Sequence, residues 1–412
     1  MTRTSRRSHH PLALRPISNP SQLADLVWSA FVKFQANRDV FSEAVSFAVK
    51  LLPQRTTLPI LSGILIKADE DGLTLSSFDY EVSAQTQIAA DVEEPGTVLV
   101  SGRLLSDIAN KLPNAPVRFA SEDSRITVSS GSAKFTLLSM PVEEYPSLPQ
   151  IGEESGILPA DKFAAAVAQV AVAASRDDVT PVITGVQLEV SENTLSLVAT
   201  DRYRVAVRNI DWDSGDSGLS TASALVPAKT LQEVGKTFGN AGTISVSITN
   251  TDDRELIAFR ADKKTVTSLL IKGNFPPVKR LFPETVDNYA VINTAELIES
   301  TRRVSLVLER EAALRFTFTI DGVTLEAIGS EQAQASESID ALLTGSDTVV
   351  SLKPQFLLDG LSAVHSEYVR ISFTKTDNPN KPGPVLITSQ SSKDQPGTDD
   401  YKYLLQPNLL LR

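Results

Sequence analysis

The chain repeats itself three times, and this restricts its fold more than any composition figure does. SGILIKADEDGLTL (62–75), TGVQLEVSENTLSL (184–197) and LRFTFTIDGVTLEA (314–327) each read as an alternating apolar run, a polar turn and a second alternating run, the pattern of a β-hairpin. Leu75, Leu197 and Leu325 correspond, at separations of 122 and 128 residues. TVLVSGRLLSDIANKLPNAPVRF (97–119), SALVPAKTLQEVGKTFGNAGTISVSI (223–248) and TVVSLKPQFLLDGLSAVHSEYVRISF (348–373) form a second set. Each reads strand, short helix, turn, strand, and Leu105, Leu231 and Leu357 recur 126 residues apart.

The apolar spacing of Leu104, Leu105, Ile108 and Leu112, and of Leu357, Leu358, Leu361 and Val364, predicts one buried face on each of these helices. A further helix opens each unit, over 39–52, 161–175 and 294–308, and Asn293 with Glu296 has the spacing of a capping box. The Ala-rich middle helix permits a close neighbour. Each unit therefore has two helices and about eight short strands, an α+β arrangement. Boundaries at PVEEYPSLPQIGEES (141–155) and GNFPPVKRLFPET (273–285) divide the chain into 31–150, 151–283 and 284–412. Residues 1–30 are basic, with no acidic residue before Asp25 and no apolar core of a signal peptide; they read as a flexible extension rather than an organelle transit peptide.

The chain of 412 residues contains no cysteine, which excludes disulfides, thiol catalysis and thiolate metal sites and fits a reducing, cytoplasmic setting. His9, His10 and His365 are too few and too scattered for a metal centre, so neither metal nor cofactor is expected. FAAAVAQVAVAA (163–174) is too short to span a membrane. There is no glycine-rich phosphate loop with its Lys, no HExxH helix and no GxSxG elbow, and Asp201 with Arg204 reads as a structural pair; catalysis is not expected. The net charge of -11 argues against gripping nucleic acid over the whole surface, but a local basic face remains possible because charges beyond a Debye length of about 10 Å are screened.

ATDRYRVAVR (199–208) resembles the ATDxxRLA signature of the bacterial sliding clamps, the beta subunits of DNA polymerase III. RTTLPILSGILI (55–66), FDYEVS (78–83), YPSLP (145–149), VPAKTL (226–231), FPPVKRLFP (275–283) and the ending YKYLLQPNLLLR resemble clamp motifs in the same order, over roughly residues 32–412, and are most similar to actinobacterial members. The resemblance implies three clamp domains, each with two helices packed on antiparallel sheets, and a head-to-tail homodimeric ring that encircles double-stranded DNA. It implies as partners the replicative polymerase, the clamp loader and other proteins carrying clamp-binding peptides.

Residues on or beside the helices that would face DNA are Lys50, Arg103, Lys111, Lys162, Arg176, Lys229, Lys236, Arg302, Arg303 and Lys353, with Arg55 in a loop. The resemblance places the partner-peptide pocket at Ile183, Thr200, Arg202, Tyr203, Arg204 and Val205; Pro276, Val278, Arg280 and Leu281; and Leu404, Leu405, Gln406, Pro407, Asn408, Leu409 and Leu410. Val205, Ile183 and Leu281 would form its floor, with Arg204 and Arg280 running along it and carrying charge at the rim. Clamps commonly end close to YLLMPVRL, whereas this chain has Gln406, Asn408 and Leu409 at the divergent places. Buried without partners, Gln and Asn would shift affinity, which leaves open a second clamp copy resistant to a pocket-directed inhibitor. A three-domain scaffold that encircles nothing is the alternative of another class. The edge strand AKFTLLSM (133–140), with Phe135 and Leu137, and the region Val304–Leu308 are candidates for the dimer contact.

Overall fold

A computed structural model describes residues 31–52, 56–250, 255–309, 311–328, 333–375, 382–398 and 400–409; Arg55 and Leu410 lie outside the described residues. Six α-helices occur among them: α1 (Arg38–Lys50), α2 (Gly102–Ala109), α3 (Ala160–Ala171), α4 (Ala228–Phe238), α5 (Thr294–Val304) and α6 (Pro354–Val364). Two of them, α1 and α5, start on a side-chain cap. Asn37 accepts from the amides of Asp39 and Val40, and Asn293 accepts from the amide of Glu296, which satisfies donors the first turn leaves open.

The opening helices end earlier than their apolar patterns predict. Leu52 precedes Pro53, which cannot continue a helix. After Val304 the chain tightens into a 3-10 turn at Ser305–Val307, and the Ser305 hydroxyl donates to the Arg302 carbonyl at 2.9 Å. On α1, Phe41, Ala44, Val45 and Ala48 share the buried face. On α2, Leu105 and Ile108 are buried, but Leu104 is 50% exposed: it is one position off the stripe, 100° around the helix.

The three repeated hairpins are antiparallel pairs: Gly63–Asp69 with Gly72–Phe78, Gly185–Ser191 with Thr194–Thr200, and Leu314–Thr319 with Gly322–Ile328. The corresponding leucines are all core: Leu75, Leu197, Leu325, Leu105 and Leu231 are fully buried and Leu357 nearly so. Burying each such side chain contributes about 1.5–3 kcal/mol relative to leaving it in water. Among the described residues, strands assemble into sheets of thirteen, nine and four, with antiparallel pairings.

Two sheets cross the unit boundaries. Val82–Ile88 of the first unit pairs with Lys264–Leu269 of the second, and Arg204–Asp211 of the second pairs with Tyr401–Leu405 of the third. These are the first and second seams. At the second seam the helices also meet: Gln169 of α3 donates from Nε2 to the Ala363 carbonyl of α6 at 2.6 Å. One core cluster fills the first unit, and another runs through the second and third and reaches Phe47 and Ala84 across the first seam. Among the described residues no helix is long and apolar enough to cross a membrane.

A candidate peptide pocket at the second seam

Strand alternation sorts the residues of RVAV onto two faces. Val205 and Val207 point outward and join Val198, Leu386 and Leu404 in a small apolar cluster, against which Phe275, Val278 and Phe282 pack. This cluster lies at the second seam, where the sequence places the partner-peptide pocket. Arg204 and Ala206 point the other way, and Ala206 belongs to the main core.

The expectation that Arg204 carries charge at the rim is therefore corrected: its side chain is 7% exposed and turned towards the helices. Nε meets Asp201 Oδ2 at 2.9 Å, and Nη1 meets Asp359 Oδ2 at 2.6 Å and the Tyr403 hydroxyl at 3.1 Å. Nη2 donates to the Val172 carbonyl at 2.6 Å, and the guanidinium lies 4.4 Å from the centre of the Phe356 ring. Burial works against the charge, but Tyr403 and the Asp359 and Asp201 carboxylates outweigh it and raise the Arg204 pKa. Burial likewise pushes the Tyr403 hydroxyl up, against the opposing pull of Arg204. A Cβ added at Gly360 of α6 would stand 2.6 Å from the Tyr403 ring, so only glycine lets this tyrosine reach the network.

The loop before the strand is held by its own polar groups. Asp201 Oδ1 accepts from the amides of Tyr203 and Arg204 at 3.1 and 3.2 Å. The buried Thr200 hydroxyl donates to the Arg204 carbonyl at 2.7 Å and accepts from the Arg202 amide at 3.2 Å. Arg202 takes φ +79°, an uncommon conformation for a residue with a side chain, and its Nη2 donates to Thr180 Oγ1 at 2.7 Å. The turn presents Tyr203, 59% exposed, which stacks on Phe356 with ring centres 6.2 Å apart.

Of the other pocket residues, Ile183 is buried and Pro276 and Val278 are half-buried. Leu281 is 53% exposed, and the 3-10 turn Val278–Leu281 directs Val278 into the apolar cluster. Arg280 is exposed, as expected of a rim cation. On the C-terminal wall, Leu404 and Leu405 are buried and the Gln406 amide donates to the Tyr203 carbonyl at 2.8 Å. Gln406 Nε2 donates to the Pro382 carbonyl at 3.3 Å, so its side chain is not an unpartnered polar group. Pro407 is buried, the Asn408 amide donates to the Ser351 carbonyl at 2.8 Å, and Leu409 is 67% exposed. Phe356, Asp359 and Tyr403 were not among the expected residues; they come from α6 and from the core face of the last strand. Phe275 and Phe282 stand inside FPPVKRLFP, where their aromatic character was the available signal.

The basic helix residues fall into two groups. Lys50 bridges α1 to α4 through Glu233 at 3.3 Å, Lys236 also meets Glu233, Lys162 meets Asp211, Arg302 meets Glu299 and Arg303 meets Glu337. Arg103, Lys111, Arg176 and Lys229 are exposed, and no ion pair is recorded for the last three among the described residues. Lys353 meets Glu311 at 2.7 Å and lies 5.9 Å from the Tyr203 ring centre, beside the pocket residues.

Three α+β units joined by strand pairing across two seams, with an apolar site at the second, define a clamp-type processivity architecture. The chain belongs to the family of the DNA polymerase III beta subunit, the bacterial beta sliding clamps. Its N-terminal, central and C-terminal domain models match residues 32–149, 157–277 and 279–394. The beta sliding clamp of Streptomyces coelicolor is 45% identical over 377 residues, covering 91% of this chain and 99% of that protein. The beta sliding clamp homolog GriR of Streptomyces muensis is 36% identical over 376 residues, with the same coverage of 91% and 99%. The crystal structure of the Bacillus subtilis sliding clamp matches with a TM-score of 0.84 at 27% identity, covering 92% of this chain and 100% of that one.

Proposed function

We propose that two copies of this chain close head to tail into a ring around duplex DNA and tether the replicative polymerase, the clamp loader and other partners through the second-seam pocket. The observation that carries this reading is the threefold repeat of a clamp domain along one chain, with family models over all three units. Six such domains from two chains form the ring. The chain acts in the cytoplasm, without catalysis and without cofactor or metal.

Two open sheet edges support closure. Residues 133–138 of Ala133–Met140 pair with Arg125–Ser130, but on the other side only Ser139 and Met140 are paired among the described residues, which leaves the backbone of 133–138 open there. Gln334–Ile339 lies at the end of the four-stranded sheet, and the 3-10 turn beside it presents Leu306, 83% exposed. An unpaired edge invites strand pairing with another chain. Phe135 is half-buried on the first edge, while Leu137 is 5% exposed and belongs to the core. In a closed ring, retention is topological, so DNA contacts need not be tight. The basic residues of α1 to α6 with Arg55 then act collectively, their surface ion pairs exchanging for phosphates, which reconciles the acidic chain with a DNA partner.

A loader-dependent primer-extension assay on a primed single-stranded circle tests the reading: adding the chain should lengthen the products of a cognate polymerase severalfold. Product lengths unchanged by the chain would refute it.

A second reading keeps the ring and alters the pocket. Gln406, Asn408 and Leu409 on the C-terminal wall favour a second clamp copy that resists a pocket-directed inhibitor. Gln406 supports it in a specific way, since its amide is tied to Pro382 and so the wall is polar and held rather than apolar and adaptable. Affinities of a pocket-directed cyclic peptide and a polymerase-tail peptide, measured against a standard clamp, decide it: selective weakening of the cyclic peptide supports it, and equal affinities exclude it.

A further inference from the structure

We propose that the first seam carries a second peptide-docking cleft, built on the plan of the second-seam pocket but selecting a linear peptide with one large apolar side chain flanked by arginine or lysine. It rests on the peptide-docking reading of the second seam for its analogy, and on the first seam's own residues for its chemistry.

The two seams share their construction down to single hydrogen bonds. At the first, Asp79 Oδ1 accepts from the amides of Glu81 and Val82 at 3.0 and 2.7 Å, as Asp201 does from Tyr203 and Arg204. The residue after each aspartate is left-handed, Tyr80 at φ +75° and Arg202 at φ +79°. The Leu269 amide donates to the Glu81 carbonyl at 2.8 Å, as the Gln406 amide does to the Tyr203 carbonyl at the same distance. By this register Glu81 stands for Tyr203, Leu269 for Gln406 and Leu270 for Pro407.

A cleft of about 250 Å³ opens at this place. Its apolar walls are Phe78, Tyr80, Leu256, Leu269 and Leu270, with Pro149 from the linker between the units. That volume is below the roughly 300–1,000 Å³ typical of pockets for drug-sized ligands, so one side chain is its natural occupant. Tyr80 is 52% exposed and 5.7 Å from Phe78 between ring centres, a rigid aromatic wall of the kind that anchors peptides. Thr267 lines the cleft at 3% exposed, and its hydroxyl has no hydrogen-bond partner among the described residues. A buried hydroxyl without a partner is costly, and a peptide backbone group entering the cleft would satisfy it.

Charge sets the selectivity. Two exposed carboxylates, Glu81 and Glu255, line the cleft against one ammonium, Lys272, whereas the second seam presents Arg202, Arg280 and Lys353. The first seam therefore prefers a basic flank.

The test titrates fluorescein-labelled Gly-Arg-Trp-Arg-Gly and its acidic twin Gly-Glu-Trp-Glu-Gly against the full chain by fluorescence anisotropy. The basic peptide should bind at least tenfold tighter than the acidic one. Glu81→Gln with Glu255→Gln, both exposed positions, should weaken it at least tenfold, while Tyr203→Ala leaves it unchanged. Equal binding of the twins, no binding of the basic peptide, or loss on Tyr203→Ala without loss in the double variant would each overturn the proposal. A polymerase-tail peptide titrated in parallel reports on the second seam separately, so failure of that pocket reads out independently.

Discussion

Asp359 of α6 accepts a 2.6 Å hydrogen bond from Nη1 of Arg204, 155 residues earlier in the chain. This contact joins the strand that carries Val205, on the floor of the proposed pocket, to a helix of the next unit. The floor and the seam are thus one object: whatever holds the second and third units in register also holds Val205 and Leu404 side by side.

Removing the guanidinium should be costly. Arg204→Ala leaves Asp201 and Asp359 without their main partner and opens space beside Phe356 and Tyr403. Breaking a buried pair in this way costs about 3–5 kcal/mol, and the partial exposure of Asp359 favours the lower end. Equilibrium denaturation should show this loss, together with weaker binding of a polymerase-tail peptide. Stability within about 0.5 kcal/mol of the parent on the same assay, the range of an ordinary surface change, would mean the network is incidental.

Tyr203 should act at the pocket alone. Its ring is exposed and stacked on Phe356, so Tyr203→Ala removes peptide contact area without touching the core. A loss of about tenfold in peptide affinity, equivalent to about 1.4 kcal/mol, is expected by fluorescence anisotropy, with an unchanged melting temperature.

Leu306→Glu should separate the proposed dimer. The side chain is 83% exposed in the isolated chain, so the substitution leaves each unit folded while placing a charge where an apolar contact is expected. Sedimentation velocity should show a dimer for the parent and a monomer for the variant at micromolar concentration. A variant that still sediments as a dimer would move the interface elsewhere.

The first unit should weaken at alkaline pH. Tyr145 accepts from the Phe78 amide at 2.7 Å, and burial pushes its hydroxyl up to about 12 from the ordinary 10.0. The unfolded chain releases this proton first, so the contribution is complete below pH 10 and is lost as pH rises through 12. Each unit of raised pKa corresponds to about 1.4 kcal/mol. Denaturation at pH 8 and pH 11 should show the loss, and Tyr145→Phe should reduce the difference between the two, at the cost of a lower stability at pH 8.

Much of the fold was legible because its signals are local. The recurrence of Leu75, Leu197 and Leu325, and of Leu105, Leu231 and Leu357, follows from one core packed three times, and Asn293 caps α5 through contacts a few residues away. Leu104 misled because an apolar residue adjacent to the stripe reads like part of it. Arg204 misled for a different reason: which face of a strand turns inward depends on register with Tyr401–Leu405, and its partner Asp359 is remote in sequence. Lys353, expected on the DNA-facing side, also stands near Tyr203, a neighbour that only the packing of α6 against the seam reveals. The first-seam cleft was hidden because FDYEVS carries only a family resemblance in the sequence, and its likeness to ATDRYR lies in hydrogen bonds that the fold makes.

Encirclement of DNA is read out by retention on a circle. The labelled chain is loaded by a clamp loader onto a nicked circle, free protein is removed, and the circle is then cut once with a restriction enzyme. The ring account predicts stable retention on the circle and rapid loss after cutting, as the chain slides off the ends. Retention that is the same on circular and linear DNA, or no retention on either, would contradict it.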